Sequence, residues 1–243
     1  MLKINNLIKV YSGNDTPAVD GLTLELKKGE IFGFIGPNGA GKSTTIKCIT
    51  GILPLTEGSI EINGFDLKTD AISAKRSFGY VPDQHVVYDK LTGAEYVNFM
   101  ADMYGVSAEE RKERAEELFN LFSLTDAKNS PISSYSHGMA QKISVIGALI
   151  HDPDLWILDE PLTGLDPQAA FELKSLMRKH CERGKTVFFS SHVLDVVEKI
   201  ADRVGIIDGG KLVAVGTIEE LKSSRSGSLE DIFLKITGET NNG

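Results

Sequence analysis

One nine-residue stretch, Gly36-Pro37-Asn38-Gly39-Ala40-Gly41-Lys42-Ser43-Thr44, limits this chain more than anything else in it. The apolar run Ile31-Phe32-Gly33-Phe34-Ile35 leads in, and the helix-compatible Thr45-Ile46-Lys47-Cys48-Ile49-Thr50 leads out. Strand, glycine turn and helix, in that order, are the setting in which G-x-x-x-x-G-K-[ST] is a phosphate-binding loop. Glycines let backbone N–H groups turn inward around phosphate oxygens, and the helix adds the positive end of its dipole. In such a loop Lys42 reaches the β- and γ-phosphates of a nucleotide, and the Ser43 hydroxyl ligates Mg²⁺. An α/β nucleotide-binding fold follows, and the use made of the nucleotide stays open.

The chain is long enough, at 243 residues, for one large domain or a core carrying an inserted lobe. A net charge of −8 argues against a nucleic-acid partner, which needs a basic surface. No apolar run reaches the length of a membrane span, and Met1-Leu2-Lys3 opens directly into a strand pattern, unlike a signal peptide. Cys48 and Cys181 stand far apart on predicted helices, unlike a zinc or redox motif. They are expected to be small, buried or half-buried side chains in a reducing, cytosolic compartment.

Leu2 to Tyr11 has the period of a half-buried strand, Leu22 to Leu26 alternates cleanly, and Ser12 to Pro17 between them is polar and turn-rich. These segments predict an antiparallel β layer beside the phosphate-loop strand. Gly58 to Gly64 reads as a short hairpin arm, and Phe78-Gly79-Tyr80-Val81 as a strand ended by Pro82. Near residue 90 the pattern turns helical. Thr92 with Glu95, and Ser107 with Glu110, have capping-box spacing, Leu91 is placed as a staple, and a third helix runs from about Gly138 to Ile150. The charge run from Glu109 to Glu117 reads as a solvated helix face. After Pro153 the alternation returns, with strands at Leu155–Leu158, Thr186–Ser190 and Val204–Asp208. Helices are expected over Pro167–Glu182, with Asp166 as cap, and over His192–Ile200. Gly209-Gly210 turns the chain into Lys211–Val215, Thr217 and Glu220 cap a further helix, and Ser228 to Ile236 is a last one. The expected organisation is a core of 1–87 and 152–225, a helical lobe inserted at 88–151, and a tail at 226–243.

A phosphate loop alone does not separate kinase, GTPase and ATPase. Leu155-Trp156-Ile157-Leu158-Asp159-Glu160 is an apolar strand that ends in two carboxylates. Burial explains the apolar run but not the paired acids. Asp159 suits a second-shell contact to Mg²⁺, and Glu160 suits a base that polarises an attacking water.

With these residues together, the sequence resembles the nucleotide-binding subunit of an ABC transporter, of exporter-like, drug-resistance type, from Tyr11 to about Glu220. The resemblance implies a RecA-like mixed sheet with an antiparallel β arm and an inserted α-helical subdomain. It matches Gly36–Ser43 to Walker A, Leu155–Asp159 to Walker B, and Glu160 to the catalytic glutamate. Gly164-Leu165-Asp166 matches the D-loop, His192 the switch histidine at the γ-phosphate, and Tyr11 the aromatic that stacks on adenine. Tyr135-Ser136-His137-Gly138-Met139 occupies the place of the usual Leu-Ser-Gly-Gly-Gln. Ser136 and Gly138, credited with contacting the γ-phosphate of ATP on the other subunit, are kept, while His137 and Met139 depart from the pattern. Family members usually place Gln directly after the strand-ending proline. Here Asp83 follows Pro82 and Gln84 comes next, so either Gln84 reaches Mg²⁺ through a one-residue shift or Asp83 serves the metal.

The resemblance further implies ATP and Mg²⁺, a head-to-tail dimer with a second ATP-binding subunit, and a polytopic membrane permease as partner. It places the chain on the cytoplasmic face of the membrane. A soluble ABC ATPase of translation or DNA maintenance is the competing expectation. That class usually carries two cassettes or a long coiled coil between the Walker motifs, and neither stands in this sequence. No Asn-Lys-x-Asp segment supports guanine recognition.

Overall fold

The computed structural model describes residues 1–83, 88–224 and 228–238. The chain opens with β1 (Leu2–Lys9) and β2 (Val19–Leu26), paired antiparallel. β1 buries Leu2, Ile4 and then Leu7, so its two-residue period slips at Asn5-Asn6. The slip is a bulge, with Asn6 at φ 48° and the register shifting there against both neighbours. Gly58 faces it, and a Cβ there would lie 2.4 Å from the Asn6 carbonyl oxygen. Next come β3 (Ile31–Ile35), the glycine loop and α1 (Lys42–Ile49). β4 (Glu57–Ile62) and β5 (Phe65–Asp66) complete a four-stranded antiparallel sheet in the order β2-β1-β4-β5.

After α2 (Ala71–Arg76) and β6 (Phe78–Val81) come three helices, α3 (Gly93–Tyr104), α4 (Ala108–Leu121) and α5 (His137–Leu149). The chain then alternates through β7 (Leu155–Leu158), α6 (Pro167–Glu182), β8 (Thr186–Ser191) and α7 (Leu194–Ile200). β9 (Arg203–Asp208), β10 (Lys211–Thr217), α8 (Ile218–Ser224) and α9 (Leu229–Thr237) finish it. The second sheet runs β10-β9-β3-β8-β7-β6, parallel except for the β9–β10 hairpin.

Strand parity divides the core in two. Ile31 and Ile35 of β3, Trp156 and Leu158 of β7, and Val187 and Phe189 of β8 join the helices on one face. Phe32, Phe34, Ile157 and Phe188 point the other way, onto the antiparallel sheet and α1. Phe188 stacks on Phe32 at 5.8 Å and tilts against Phe34 at 5.4 Å. Burial on both faces explains why these strands read as unbroken apolar runs. The α/β fold with a mixed sheet, an antiparallel arm and a helical subdomain is as the sequence predicts.

The helical segment is held by its caps. Thr92 and Glu95 form the complete capping box, and Leu91 packs into the core beside them. Ser107 caps α4 through Glu110 N–H, and the Glu110 carboxylate in turn takes the Ser107 hydroxyl and Arg114. Four local features differ from expectation. α2 has only Ala74 buried, so it carries no apolar period to read, and Asp70 caps it through Ser73 N–H. β2 starts at Val19, because Gly21 at φ 69° interrupts the alternation ahead of Leu22. The helix expected from His192 begins at Leu194, because His192 is drawn out to Glu160. A single 3₁₀ turn, Ile132–Ser134, precedes α5. Cys48 and Cys181 are both buried and free.

Candidate nucleotide-binding and hydrolysis site

The parallel strands β3, β8 and β7 lie side by side, and their carboxyl ends open at one edge of the sheet, where α/β folds bind ligands. The glycine loop there is tightly braced. A Cβ on Gly36 would stand 2.3 Å from the Ile207 carbonyl oxygen, and one on Gly41, at φ 108°, would stand 2.6 Å from that of Ala18. The hairpin turn after β9 supports the loop from outside, with Gly210 N–H donating to Ala40 O at 3.0 Å. Gly41 stands at the N-cap of α1 and offers no side-chain acceptor, which leaves the first N–H groups of that helix open to an anion.

Lys42 is 8% exposed, and its ammonium folds over the loop to donate to Gly36 O at 2.6 Å and Pro37 O at 3.2 Å. Burial lowers its pKa, and the nearby Glu160 and Asp159 carboxylates work against that shift. Tyr11 stands at the same edge with its hydroxyl 3.1 Å from that of Thr44, and its ring remains part-exposed.

The β7–β8 register sets Leu158 level with Phe189, so the next step brings residue 159 against residue 190. Ser190 donates to Asp159 Oδ1 at 2.6 Å, and Glu160 N–H donates to the same Ser190 hydroxyl at 2.9 Å. Burial pushes the Asp159 carboxyl above the usual range, with hydrogen bonds from Ser190 and Ser43 opposing it. Glu160 adopts φ 49°, a left-handed conformation uncommon outside glycine. Its Oε2 lies 2.9 Å from His192 Nδ1 and accepts from His192 N–H at 3.3 Å.

Together the loop, Asp83, Glu160, Thr163 and His192 line a polar cleft of about 380 Å³. A second cleft that shares Ser43 and Asp83 with the first is lined by Asp159 among others. These residues fit ATP and Mg²⁺. The backbone cradle admits no Cβ at Gly36 or Gly41, and the buried cation has only carbonyl partners. Among the described residues no group of three His, Cys, Asp or Glu forms a metal cage. The Ser43 hydroxyl and the Asp159 carboxylate are oxygen donors of the kind Mg²⁺ takes, alongside phosphate oxygens and water.

Not every predicted residue joins the cleft. Ser136 N-caps α5, accepting from Met139 N–H at 3.3 Å, and Gly138 faces open space beside it. Asp166 caps α6 through Ala169 N–H at 2.9 Å. None of the three lines the cleft. Gln84 lies outside the described residues, while Asp83 lines both clefts. His137, in place of the usual glycine, packs its ring on Gly164, where a Cβ would come within 2.9 Å of it. Sequence reasoning gave no role to Ser190, nor to Gln141, whose buried amide donates to the Pro161 carbonyl. The hydroxyl pair before His192 was the available signal for Ser190, and only the β7–β8 register gives it meaning.

The fold and cleft define a P-loop nucleoside triphosphatase. The ABC transporter family matches over residues 19–163. The linearmycin resistance ATP-binding protein LnrL of Bacillus subtilis (strain 168) is 40% identical over 238 residues, 98% of this chain and 76% of that protein. A solved ATP-binding subunit of an ABC transporter superposes with a TM-score of 0.93 at 33% identity, covering 98% of this chain and 99% of that one. A dimeric post-hydrolysis state of the ATP-binding cassette MJ0796, bound to ADP and Pi, gives 0.80 at 27% identity over 89% and 98%. The chain belongs to the ABC transporter family, as an ATP-binding and ATP-hydrolysing subunit that uses Mg²⁺.

Proposed function

We propose that two copies of this chain, or this chain and a close paralogue, close head to tail around two ATP molecules and drive an export permease from the cytoplasmic face of the membrane. The observation that carries this reading is the division of the machinery. Glu160, His192 and the phosphate loop share one cleft, while Ser136 and Gly138 stand on an exposed helix start outside it. A γ-phosphate contact from that helix start therefore requires a second subunit. The MJ0796 cassette is a dimer, and LnrL confers resistance to linearmycin, which favours export here too.

Each side chain takes a defined part in this reading. Gly36 to Thr44 hold the phosphates, Lys42 turning from the loop carbonyls to the β- and γ-oxygens, and Tyr11 stacks on the base. Ser43 binds Mg²⁺, with Asp159 and either Asp83 or Gln84 behind it. Glu160 orients and polarises water, held by His192, which also meets the γ-phosphate. Asp166 and its loop meet the partner cassette. Residues 88–151 serve as an inserted helical lobe on an ATPase core of 1–87 and 152–225, with 226–243 as a tail. Among the described residues no helix is long and apolar enough to cross a membrane. The permease supplies the span, docking against the helical lobe and the Q-loop after Pro82; on that lobe Tyr88 and Phe99 meet edge to face at 5.3 Å and Met103 is exposed.

Pull-down tests it. Tagged Glu160→Gln chain from its native host, solubilised with ATP and Mg²⁺, is expected to bring down a polytopic membrane protein in stoichiometric amount. Recovery with ribosomes or nucleic acid, and no membrane protein, would overturn the transport role.

A further inference from the structure

The hydroxyl of Ser190 sits between the two carboxylates of the site and belongs to neither. Ser190 is fully buried at the end of β8 and Asp159 is 3% exposed. A serine hydroxyl has one hydrogen and two lone pairs. Facing an ionised carboxylate it must donate, and Ser190 does so to Asp159 Oδ1 at 2.6 Å. Its lone pairs then remain to accept, and the donor they meet is the backbone N–H of Glu160 at 2.9 Å. The direction of the chain is thus set from Glu160 N–H through the hydroxyl to Asp159.

That bond falls where the backbone is least comfortable. Glu160 turns into φ 49° directly after the buried strand β7, and its N–H points into the protein. A non-glycine residue holds such a conformation only when its surroundings fix it. The turn throws the Glu160 side chain out of the strand line and into the cleft, where His192 meets it at 2.9 Å. His192 restrains the carboxylate end, and Ser190 restrains the backbone end. Without the hydroxyl the N–H would be buried and unpaired, and the peptide would be free to turn elsewhere.

We propose that Ser190 is a positioning residue for ATP hydrolysis, its hydroxyl locking the Glu160 backbone in the turn that aims the carboxylate at the attacking water. The inference rests on the reading of Glu160 as the water-orienting group. Among the described residues Ser190 makes no hydrogen bond to the phosphate loop or to Tyr11; its partners are Glu160 and Asp159, so its link to the nucleotide runs only through the metal side.

The test compares Ser190→Thr with Ser190→Val in the full chain. The two side chains have nearly the same shape, and only Thr keeps the hydroxyl. Ser190→Val is expected to lose about 10–100-fold in kcat, while Thr stays within about threefold of wild type. The Kd for a fluorescent ATP analogue measured without Mg²⁺ is expected to be unchanged in both, because the loop that holds the phosphates has no hydrogen bond to Ser190. Melting followed by the fluorescence of Trp156, the only tryptophan, checks that each variant folds. Where Val does not fold, Ser190→Ala carries the same comparison against Thr. Equal turnover in Thr and Val overturns the inference, as does a loss that appears only in nucleotide binding. Glu160→Gln is measured alongside. If it hydrolyses ATP like wild type, the reading of Glu160 fails and this inference with it. If it is inactive while Val matches Thr, the inference alone fails.

Discussion

Glu160 combines a strained backbone with two polar anchors, and this places its contribution on orientation as much as on basicity. Its carboxylate accepts from the backbone of His192 and lies against the imidazole, while its own N–H is held by Ser190. Glu160→Gln keeps the shape and an acceptor oxygen but cannot take up a proton. It is expected to lower steady-state turnover by about 10²–10⁴-fold and to leave MgATP binding intact. On the proposed cycle, in which hydrolysis reopens the pair, the same variant is expected to accumulate as an ATP-bound dimer. Light scattering with and without ATP reads this directly: a doubled mass only with nucleotide supports it, and a persistent monomer contradicts it.

The N-terminal end of α5 illustrates what sequence patterns can and cannot carry. Its cap was legible, because Ser136 followed by an apolar-periodic segment is a local signal and the structure forms that bond. Its attachment to the loop after β7 was not. The His137 ring against Gly164, and the Gln141 amide on the Pro161 carbonyl, join residues twenty or more positions apart, on opposite sides of β7 in the chain. No periodicity records such pairs. The same division holds elsewhere: capping boxes, the glycine hairpin and the buried strands follow from local chemistry, whereas α2, with no apolar stripe, leaves no trace. Gly164 allows a quantitative check. It stands at φ 77° with the imidazole 2.9 Å from any added Cβ, so Gly164→Ala meets both backbone strain and a clash. A loss of about 1–3 kcal/mol in folding stability is expected. His137→Gly should restore the steric part and leave the backbone part. Denaturant unfolding of both single variants and the double variant gives the coupling as a non-additive remainder. Strict additivity would mean the ring exerts no restraint on the loop.

Across the whole molecule, the succession of strands along the chain was legible, and the structure explains the apolar runs of β3, β7 and β8 by burial on both sides. What they enclose besides apolar side chains was not. His180 packs edge to face against Trp156 at 5.8 Å, and its Nε2 is buried without a hydrogen-bond partner. His151 stacks on Tyr104 at 3.6 Å, with Nε2 on the Phe78 carbonyl and Nδ1 unpartnered. Burial pushes both down to about 4, and Lys185 adds to it for each while Asp152 opposes. In the folded state both rings are therefore neutral at pH values where the unfolded chain binds protons. The unfolded state holds more protons between pH 6.5 and about 4, so stability rises with pH across that window and is lost as pH falls through it. For His180, 4% exposed, the full shift corresponds to about 3 kcal/mol, and half-buried His151 contributes less. Asp159 has the opposite sign, since its raised pKa means the folded state binds its proton first, which softens the loss near the acid end. Asp152, which burial raises but Lys185 and Arg183 together carry below the usual range, adds its own loss only once the carboxylates titrate. Melting temperature measured from pH 7.5 to 4.5 is thus expected to fall steadily below pH 6.5. His180→Phe, which keeps the ring against Trp156 and cannot take up a proton, should flatten that slope and melt higher than wild type at pH 5. A wild-type melting point independent of pH across the window, or an unchanged slope in His180→Phe, would show that the buried imidazoles do not govern the acid stability of this fold.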